Sequence, residues 1–156
     1  MNSLVTRFSD VLHMTHALRS QMFDLLTDAD LPYTLPNNLT LGALCREMGE
    51  VQVAYINSFK TFKLDFSYRH SDKTVETNLA QLKAWFAQLD ADLDATLAAL
   101  SEADLQKPVD RGGWTPPAEV NFHTYREALL IFYGKADLYL KALQKPLPQQ
   151  WQAWIG

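Results

Sequence analysis

Apolar side chains recur at spacings of three and four residues over four long segments of this 156-residue chain. This period constrains the fold more than any other feature, because it is typical of amphipathic helices. Five of the 7 prolines lie between or after the periodic segments, where helices are expected to end. The other two, Pro116 and Pro117, lie in the first turn of the last segment, where proline is tolerated. The pattern predicts helices over about 3–26, 41–62, 75–100 and 115–143, with a short helical turn capped by Ser101. We therefore expect an all-α fold, a four-helix bundle formed by one domain over residues 1–156.

The connections between the predicted helices are uneven in length. Residues 27–40 and 101–114 form gaps of about 14 residues, which are long for a plain up-and-down bundle. Such gaps predict crossover connections or additional structure at the rim of the bundle. The C-terminal tail contains Trp151 and Trp154, which we expect to pack on the bundle or on a partner.

Charge and cysteine content exclude several classes of protein. Lys and Arg total 14 and Asp and Glu total 18, a net charge of −4, so the chain lacks the basic excess typical of nucleic-acid binding. One cysteine, Cys45, excludes an internal disulfide framework. No apolar run reaches the roughly 18 residues of a membrane span. We expect a cytoplasmic protein with neither a nucleic acid nor a membrane as partner.

Histidines are the first candidates for a metal site. On a helical projection, His13 and His16 lie away from the apolar stripe of the first predicted helix, so both are expected at the surface or its boundary. His70 falls in a polar loop and is expected to be solvated. His123 and Glu127 are spaced four apart, as in a helical metal-binding pair, but they lie opposite the apolar stripe of the last helix. We favour a structural role for this pair, and a relocated metal site there remains the alternative.

Three residues of the second predicted helix are candidates for a pocket or a nucleophile. Glu47 lies at the edge of the apolar stripe, so it either faces a polar pocket or extends into solvent. Glu50 points farther from the stripe and is expected to be a surface charge. Cys45 lies within the apolar part and is expected to act as a small hydrophobic residue rather than a nucleophile.

The last predicted helix is apolar on more than one side. Leu130, Ile131 and Leu138 lie off its main apolar stripe. Because an exposed apolar patch usually marks an interface, we predict a homodimer with a two-fold interface through this helix. The same surface is typical of a protein-interaction module, which stays open as an alternative function.

Two segments resemble a known family. Residues 41–52, LGALCREMGEVQ, resemble the second-helix motif of the DinB/YfiT-like superfamily, and residues 127–143, EALLIFYGKADLYLKAL, resemble its last long helix. The order and size of the predicted helices are also similar. The resemblance implies a four-helix bundle with unusual crossover connectivity, often homodimeric. Many members of that family bind a divalent metal through three histidines, and some are metal-dependent hydrolases or thiol transferases.

Matching the family's ligand positions to this sequence implies a degenerate metal site. The first ligand histidine falls on Glu47, and the second and third fall on Ala128 and Phe132, whose side chains have no donor atom. We therefore expect no cofactor and a non-catalytic or small-ligand-binding protein. The alternative is a hydrolase or thiol transferase that holds Zn or Ni in a rearranged site using His16, Glu47 or Asn121.

The catalytic residues and the ligand stay unknown at this point, but the pocket has definite candidates. Asn121 and Tyr125 share a face of the last predicted helix with Ala128, and Thr15 faces inward from the first. A carboxylate among apolar neighbours needs a polar partner. We therefore predict that Glu47 forms a hydrogen bond with Asn121, Tyr125 or Thr15, directly or through water, with His16 as a further member of the pocket.

Overall fold

A computed structural model describes residues 2–156, in which the regular secondary structure is entirely helical and no strand is present. The predicted all-α class is confirmed. This part of the chain has six α-helices rather than four, because two of them are too short to show a helical period. The helices are α1 (Ser3–Leu25), α2 (Leu41–Thr61), α3 (Leu79–Ala99), α4 (Glu102–Leu105), α5 (Ala118–Ala142) and α6 (Gln149–Trp154), with 3₁₀ turns at Asp28–Asp30 and Lys73–Glu76.

The four long helices enclose the hydrophobic core. Both α1 and α2 pack against α3 and against α5, so each long helix has neighbours on two sides. The core is extended by Leu105 from α4, Val109 from the loop before α5 and Trp151 from α6. As predicted, Trp151 packs back on the helices, and its indole Nε1 donates to the carbonyl oxygen of Leu18 at 2.8 Å. Trp154 is half exposed.

The second and third helices differ from their predicted bounds at the connection between them. Helix α2 ends at Thr61 because Phe62 adopts a left-handed conformation, with φ of 55°. Helix α3 begins only at Leu79, where the side chain of Asn78 accepts a hydrogen bond from the backbone of Gln81. Val75 was predicted to begin this helix, but it lies in the preceding 3₁₀ turn with its side chain in the core.

The last long helix begins three residues later than predicted. The carbonyl oxygen of Pro116 accepts from the backbone N–H of Val109 at 2.8 Å, which holds Pro116 in an extended segment. Pro117 is therefore the residue that precedes Ala118 at the start of α5. The turn predicted at Ser101 is confirmed as α4, where the Ser101 and Asp104 side chains cap each other's backbone N–H groups.

Residues 62–78, which we call the strap, cross the outer face of α2 on the way to α3. The strap lies so close to α2 that a Cβ on Gly42 would overlap the carbonyl oxygen of Glu76. The backbone N–H of His70 also donates to Glu50 Oε1 at 2.9 Å. The strap therefore forms a wall beside α2. No helix in the described chain is both long and apolar enough to cross a bilayer.

Candidate functional site

A charged network lies between α1, α2 and α3, centred on Asp90. Arg19, which is 1% exposed, donates from Nη2 to Asp90 Oδ2 at 2.5 Å and from Nη1 to Gln52 Oε1 at 3.2 Å. Gln52 in turn donates to Asp90 Oδ1 at 2.9 Å. The guanidinium also lies over the ring of Phe86, 4.2 Å from its centroid. The buried positive charge is thus matched by a carboxylate, an amide and an aromatic face.

His16 links this network to α5. Its Nδ1 lies 3.3 Å from Asp90 Oδ1 and its Nε2 lies 3.1 Å from the Tyr125 hydroxyl. Burial, reinforced by the neighbouring charge of Arg19, lowers the pKa of His16 to about 4, so the imidazole is neutral at pH 7. A neutral imidazole carries one N–H, and a carboxylate only accepts. The proton therefore sits on Nδ1, facing Asp90, and the Tyr125 hydroxyl donates to Nε2.

Asp90, His16 and Tyr125 form a contiguous series of carboxylate, imidazole and hydroxyl. Enzymes use a series of this kind to activate a nucleophile. Tyr125, however, is 0% exposed, and its ring packs against that of Tyr55 with centroids 5.2 Å apart. Burial also raises the pKa of Tyr125, which keeps the phenol protonated. A substrate cannot reach this hydroxyl, so we assign these three residues a structural role in the packing of the helices.

The position of His16 corrects an expectation from the sequence. His16 is 6% exposed rather than at the surface or its boundary, and it contacts Asp90, a half-buried residue of α3. Because α1 packs against both α3 and α5, a wider arc of it is buried than one apolar stripe indicates. The spacing of Asp90 indicated that it lies near the core. It is four residues after Phe86 and three before Leu93, two buried residues of α3.

A second polar cluster fixes the loop before α5. Arg111 donates from Nη1 to Asn121 Oδ1 at 2.6 Å and from Nη2 to the Tyr55 hydroxyl at 3.2 Å. Asn121 donates to Ser58 Oγ at 2.9 Å. Thr15 is buried on α1, where its hydroxyl donates to its own helix backbone. Asn121 and Thr15 are therefore occupied within the core, as Tyr125 is.

The outer face of α2 carries a cavity of about 310 Å³ beside the strap. Two arginines and two glutamates contribute to its lining, together with four apolar residues. The charged residues are Arg46, Glu47, Glu50 and Arg69, and the apolar ones are Leu39, Ala43, Val51 and Phe66. Charged groups and apolar walls in one concave site are typical of pockets for small molecules.

Of the two glutamates of this cavity, Glu50 differs from its prediction, and Glu47 is exposed, which is one of its two predicted alternatives. Glu50 was predicted to be a surface charge, but it is 7% exposed and accepts from the His70 backbone. Its carboxylate also lies 3.6 Å from Arg46 Nε and 4.0 Å from Arg69 Nε. Glu47 is exposed and forms no hydrogen bond or ion pair with any residue from 2 to 156. The strap covers the Glu50 side of α2, and the period of a helix does not reveal the path of a loop.

The structure does not bring Glu47 together with its predicted partners. The direct hydrogen bonds of Asn121, Tyr125 and Thr15 go to other groups, and all three are fully buried, whereas Glu47 is exposed. Glu47 does line a cavity, as the sequence suggested. That cavity is formed with the strap rather than with α1 and α5.

The strap is attached to α3 as well as to α2. The ring of His70 stacks on Trp85 with centroids 4.1 Å apart and an interplanar angle of 18°, so His70 is half-buried rather than solvated. Gly49 makes room for this stack, because a Cβ there would overlap the Trp85 ring. The wall of the cavity is therefore held by contacts to two helices.

The remaining candidates lie outside the Asp90 network, the Arg111 cluster and the cavity beside the strap. Cys45 is buried and its pKa is raised to about 12 by desolvation, so its expected role as a small hydrophobic residue is confirmed. His13 is exposed and lies 3.2 Å from Asp94. His123 is half-buried with its ring edge against Phe8, and Glu127 is exposed. Within residues 2–156 no three His, Cys, Asp or Glu side chains are grouped to hold a metal ion.

The positions matched to the family's ligands surround no common centre of donor atoms. Phe132 is 8% exposed and lies beneath Lys135, whose Nζ is 5.2 Å from the ring centroid. Ala128 is half-buried. Their methyl and phenyl groups supply no ligand, so Glu47 alone among the three matched positions carries a donor.

Comparison with known proteins adds no family assignment. A scan against protein-family models gives no match, and a search of curated proteins gives no significant match. The assignment to the DinB/YfiT-like superfamily therefore stays a prediction that rests on residues 41–52 and 127–143.

Proposed function

We propose that this chain is a non-catalytic, small-ligand-binding member of the DinB/YfiT-like superfamily and that its ligand binds in the cavity between α2 and the strap. The observation that carries the proposal is the environment of Glu47, an exposed carboxylate without a protein partner in a cavity of about 310 Å³. By contrast, the buried charges among residues 2–156, on Arg19, Glu50 and Asp137, are paired within the protein. Glu47 is free to bind something else.

The size and lining of the cavity favour a small molecule. Its volume lies near the lower end of the range of about 300–1,000 Å³ that is common for ligand pockets. Phe66 and Leu39 supply apolar surface, while Glu47 and Arg69 supply charge of both signs. A small ligand with polar ends and an apolar body matches this combination.

The family resemblance supports the same location. It places the first ligand position on Glu47, which lies in the cavity, while the other two positions carry the side chains of Ala128 and Phe132. A catalytic zinc site needs three protein ligands. Ala128 and Phe132 supply no donor atom and do not line this cavity, so a site with one matched carboxylate suits binding better than metal-dependent catalysis.

Elemental analysis of the protein purified without a histidine tag tests the metal part of the proposal. We expect no stoichiometric transition metal. About one zinc or nickel per chain, lost on Glu47→Ala, would contradict it and favour the metal-dependent hydrolase or thiol transferase.

Thermal unfolding with a panel of small cationic, anionic and zwitterionic compounds tests the ligand part. A ligand at 100 times its Kd stabilises the native state by about 2.7 kcal/mol. We expect at least one compound to raise the Tm of the wild type but not of Glu47→Gln. The matched control is Glu127→Gln, which removes an exposed carboxylate from α5 and should respond as the wild type does.

A second proposal concerns assembly. On α5, Ile131 is 61% exposed and Leu138 is 58% exposed, two turns apart on one face, while Leu130 is half-buried. We propose that this face is a two-fold homodimer interface. Sedimentation velocity at micromolar concentration should show a dimer for the wild type and a monomer for Ile131→Lys/Leu138→Lys. A monomeric wild type would overturn the assembly proposal and leave the cavity unaffected.

A further inference from the structure

We propose that the cavity between α2 and the strap binds a small zwitterion with an apolar body, the chemical class of free amino acids with aliphatic or aromatic side chains. This inference rests on the proposed ligand site and adds the class of ligand. It depends on which charged groups of the cavity already have a partner in the protein and which can still bind a ligand.

Arg46 is neutralised within the protein. Its Nε lies 3.1 Å from Glu76 Oε1 and 3.6 Å from Glu50 Oε1, and its side chain is only 21% exposed. Glu50 is equally committed, because it accepts from the His70 backbone and faces two arginines. The charges of both groups are thus already offset by ion pairs within the protein.

Arg69 presents an open hydrogen-bonding edge. Its Nη1 donates to the carbonyl oxygens of Phe66 and Tyr68, both at 2.6 Å, which anchors the guanidinium to the strap. Its Nη2 forms no hydrogen bond with any residue from 2 to 156, and the side chain is 67% exposed. An anchored guanidinium with a free edge is suited to a ligand carboxylate.

Glu47 presents the complementary charge. Its carboxylate lies in the same cavity without a protein partner and can accept from a ligand ammonium. The cavity therefore offers a ligand the carboxylate of Glu47 and the Nη2 edge of Arg69, whose Nε lies 4.0 Å from Glu50 Oε2. A simple anion would leave Glu47 unpaired and a simple cation would leave Arg69 Nη2 without a partner, whereas a zwitterion matches both.

The apolar lining accounts for the body of the ligand. Phe66 and Leu39 are large hydrophobic residues, yet they are 49% and 51% exposed. Val51 of α2 also lines the cavity. A ligand with an aliphatic or aromatic side chain would remove this apolar surface from water. The same contact discriminates against glycine and other zwitterions without such a side chain.

Isothermal titration of the 156-residue chain with three related probes tests the inference. L-leucine has both charges, leucinamide has only the ammonium, and N-acetyl-leucine has only the carboxylate. We expect L-leucine to bind the wild type at least about tenfold more tightly than either analogue, since each analogue loses one charge-assisted contact.

Two variants should produce a crossed pattern. Glu47→Gln should weaken L-leucine and leucinamide and leave N-acetyl-leucine unchanged. Arg69→Gln should weaken L-leucine and N-acetyl-leucine and leave leucinamide unchanged. Glu127→Gln and Lys135→Gln, which remove exposed charges from α5, are the matched controls and should bind all three probes as the wild type does.

The outcomes separate this inference from the proposed function. Equal binding of L-leucine and one analogue, or loss of all three probes in both variants, would overturn the zwitterion. So would the absence of L-leucine and L-phenylalanine binding while another compound stabilises the protein through Glu47, which leaves the ligand site in place. If no compound of any charge class binds in a manner that depends on Glu47, the inference and the proposed function both fail.

Discussion

The central network around Asp90 and the cavity beside the strap use the same chemical groups to different ends. Each combines arginine with carboxylate and a histidine nearby. Around Asp90, the charge of Arg19 is matched by Asp90, Gln52 and the ring of Phe86. In the cavity, the Glu47 carboxylate and one edge of Arg69 have no partner in the described chain. Both regions contain charged groups. The candidate binding site differs from the core network because some of its charged groups have no partner in the protein.

The largest expected effect comes from removing the carboxylate at the centre of the Asp90 network. Asp90→Ala leaves the buried guanidinium of Arg19 without its carboxylate, and loss of one partner from a buried pair costs about 3–5 kcal/mol. Urea unfolding should show this decrease in the free energy of unfolding. Asp92→Ala, an exposed position two residues later on α3, is the control and should change it by no more than about 0.5 kcal/mol. Equal effects of the two substitutions would show that the network is not paired as described.

Acid should weaken the same network through His16. The pKa of this buried histidine is lowered to about 4 in the folded protein, from 6.5, so the unfolded chain binds its proton first. Stability is therefore lost as the pH falls from about 6.5 towards 4, by about 3 kcal/mol for a difference of this size. His16→Gln should flatten the pH dependence of the free energy of unfolding in that window. His13→Gln, at an exposed position, should not; a similar slope in both variants would contradict the assignment.

A smaller effect is expected from the contact that holds the strap on α2. Gly42→Ala places a Cβ against the backbone of Glu76, and overpacking of this kind costs about 1–3 kcal/mol. Gly134→Ala on α5, where a Cβ meets no neighbour, should instead stabilise the protein by about 0.5–1 kcal/mol. Chemical denaturation of the two variants should give opposite signs. The same sign for both would mean that the strap does not lie against α2 as described.

The smallest expected effect sharpens the contrast within the cavity. Glu47→Gln should change the free energy of unfolding by no more than about 0.5 kcal/mol, as for other exposed substitutions. Glu50→Gln should cost about 1–3 kcal/mol, because Glu50 is a buried acceptor for the strap. Urea midpoints of the two variants, with circular dichroism as a check on folding, measure the difference. A cost for Glu47→Gln as large as that for Glu50→Gln would show that Glu47 has a partner in the protein.

The predicted dimer face and the cavity differ in how far the sequence revealed them. Ile131 and Leu138 are exposed where their position off the apolar stripe placed them. Glu47 lies in a cavity, but the strap residues that complete it, Phe66 and Arg69, carried no signal. They lie in an irregular segment, whose course does not follow from a local period.

The sequence by itself determined the elements that depend on local interactions. Helical spacing predicted the four long helices to within a few residues at most ends, Ser101 as a cap marked α4, and the apolar setting of Cys45 predicted its burial. Each of these follows from residues within about one turn of one another, where helix propensity and capping act. They need no knowledge of what packs against the helix.

Only the tertiary structure decided which polar side chains are buried and which remain open. His16 became a core residue because α1 packs against both α3 and α5, and Glu50 became a buried acceptor because the strap crosses α2 above it. Glu47, less than one turn away, stayed exposed. The free energy of a charged group depends on the groups that replace its water, and those groups come from segments distant in the chain.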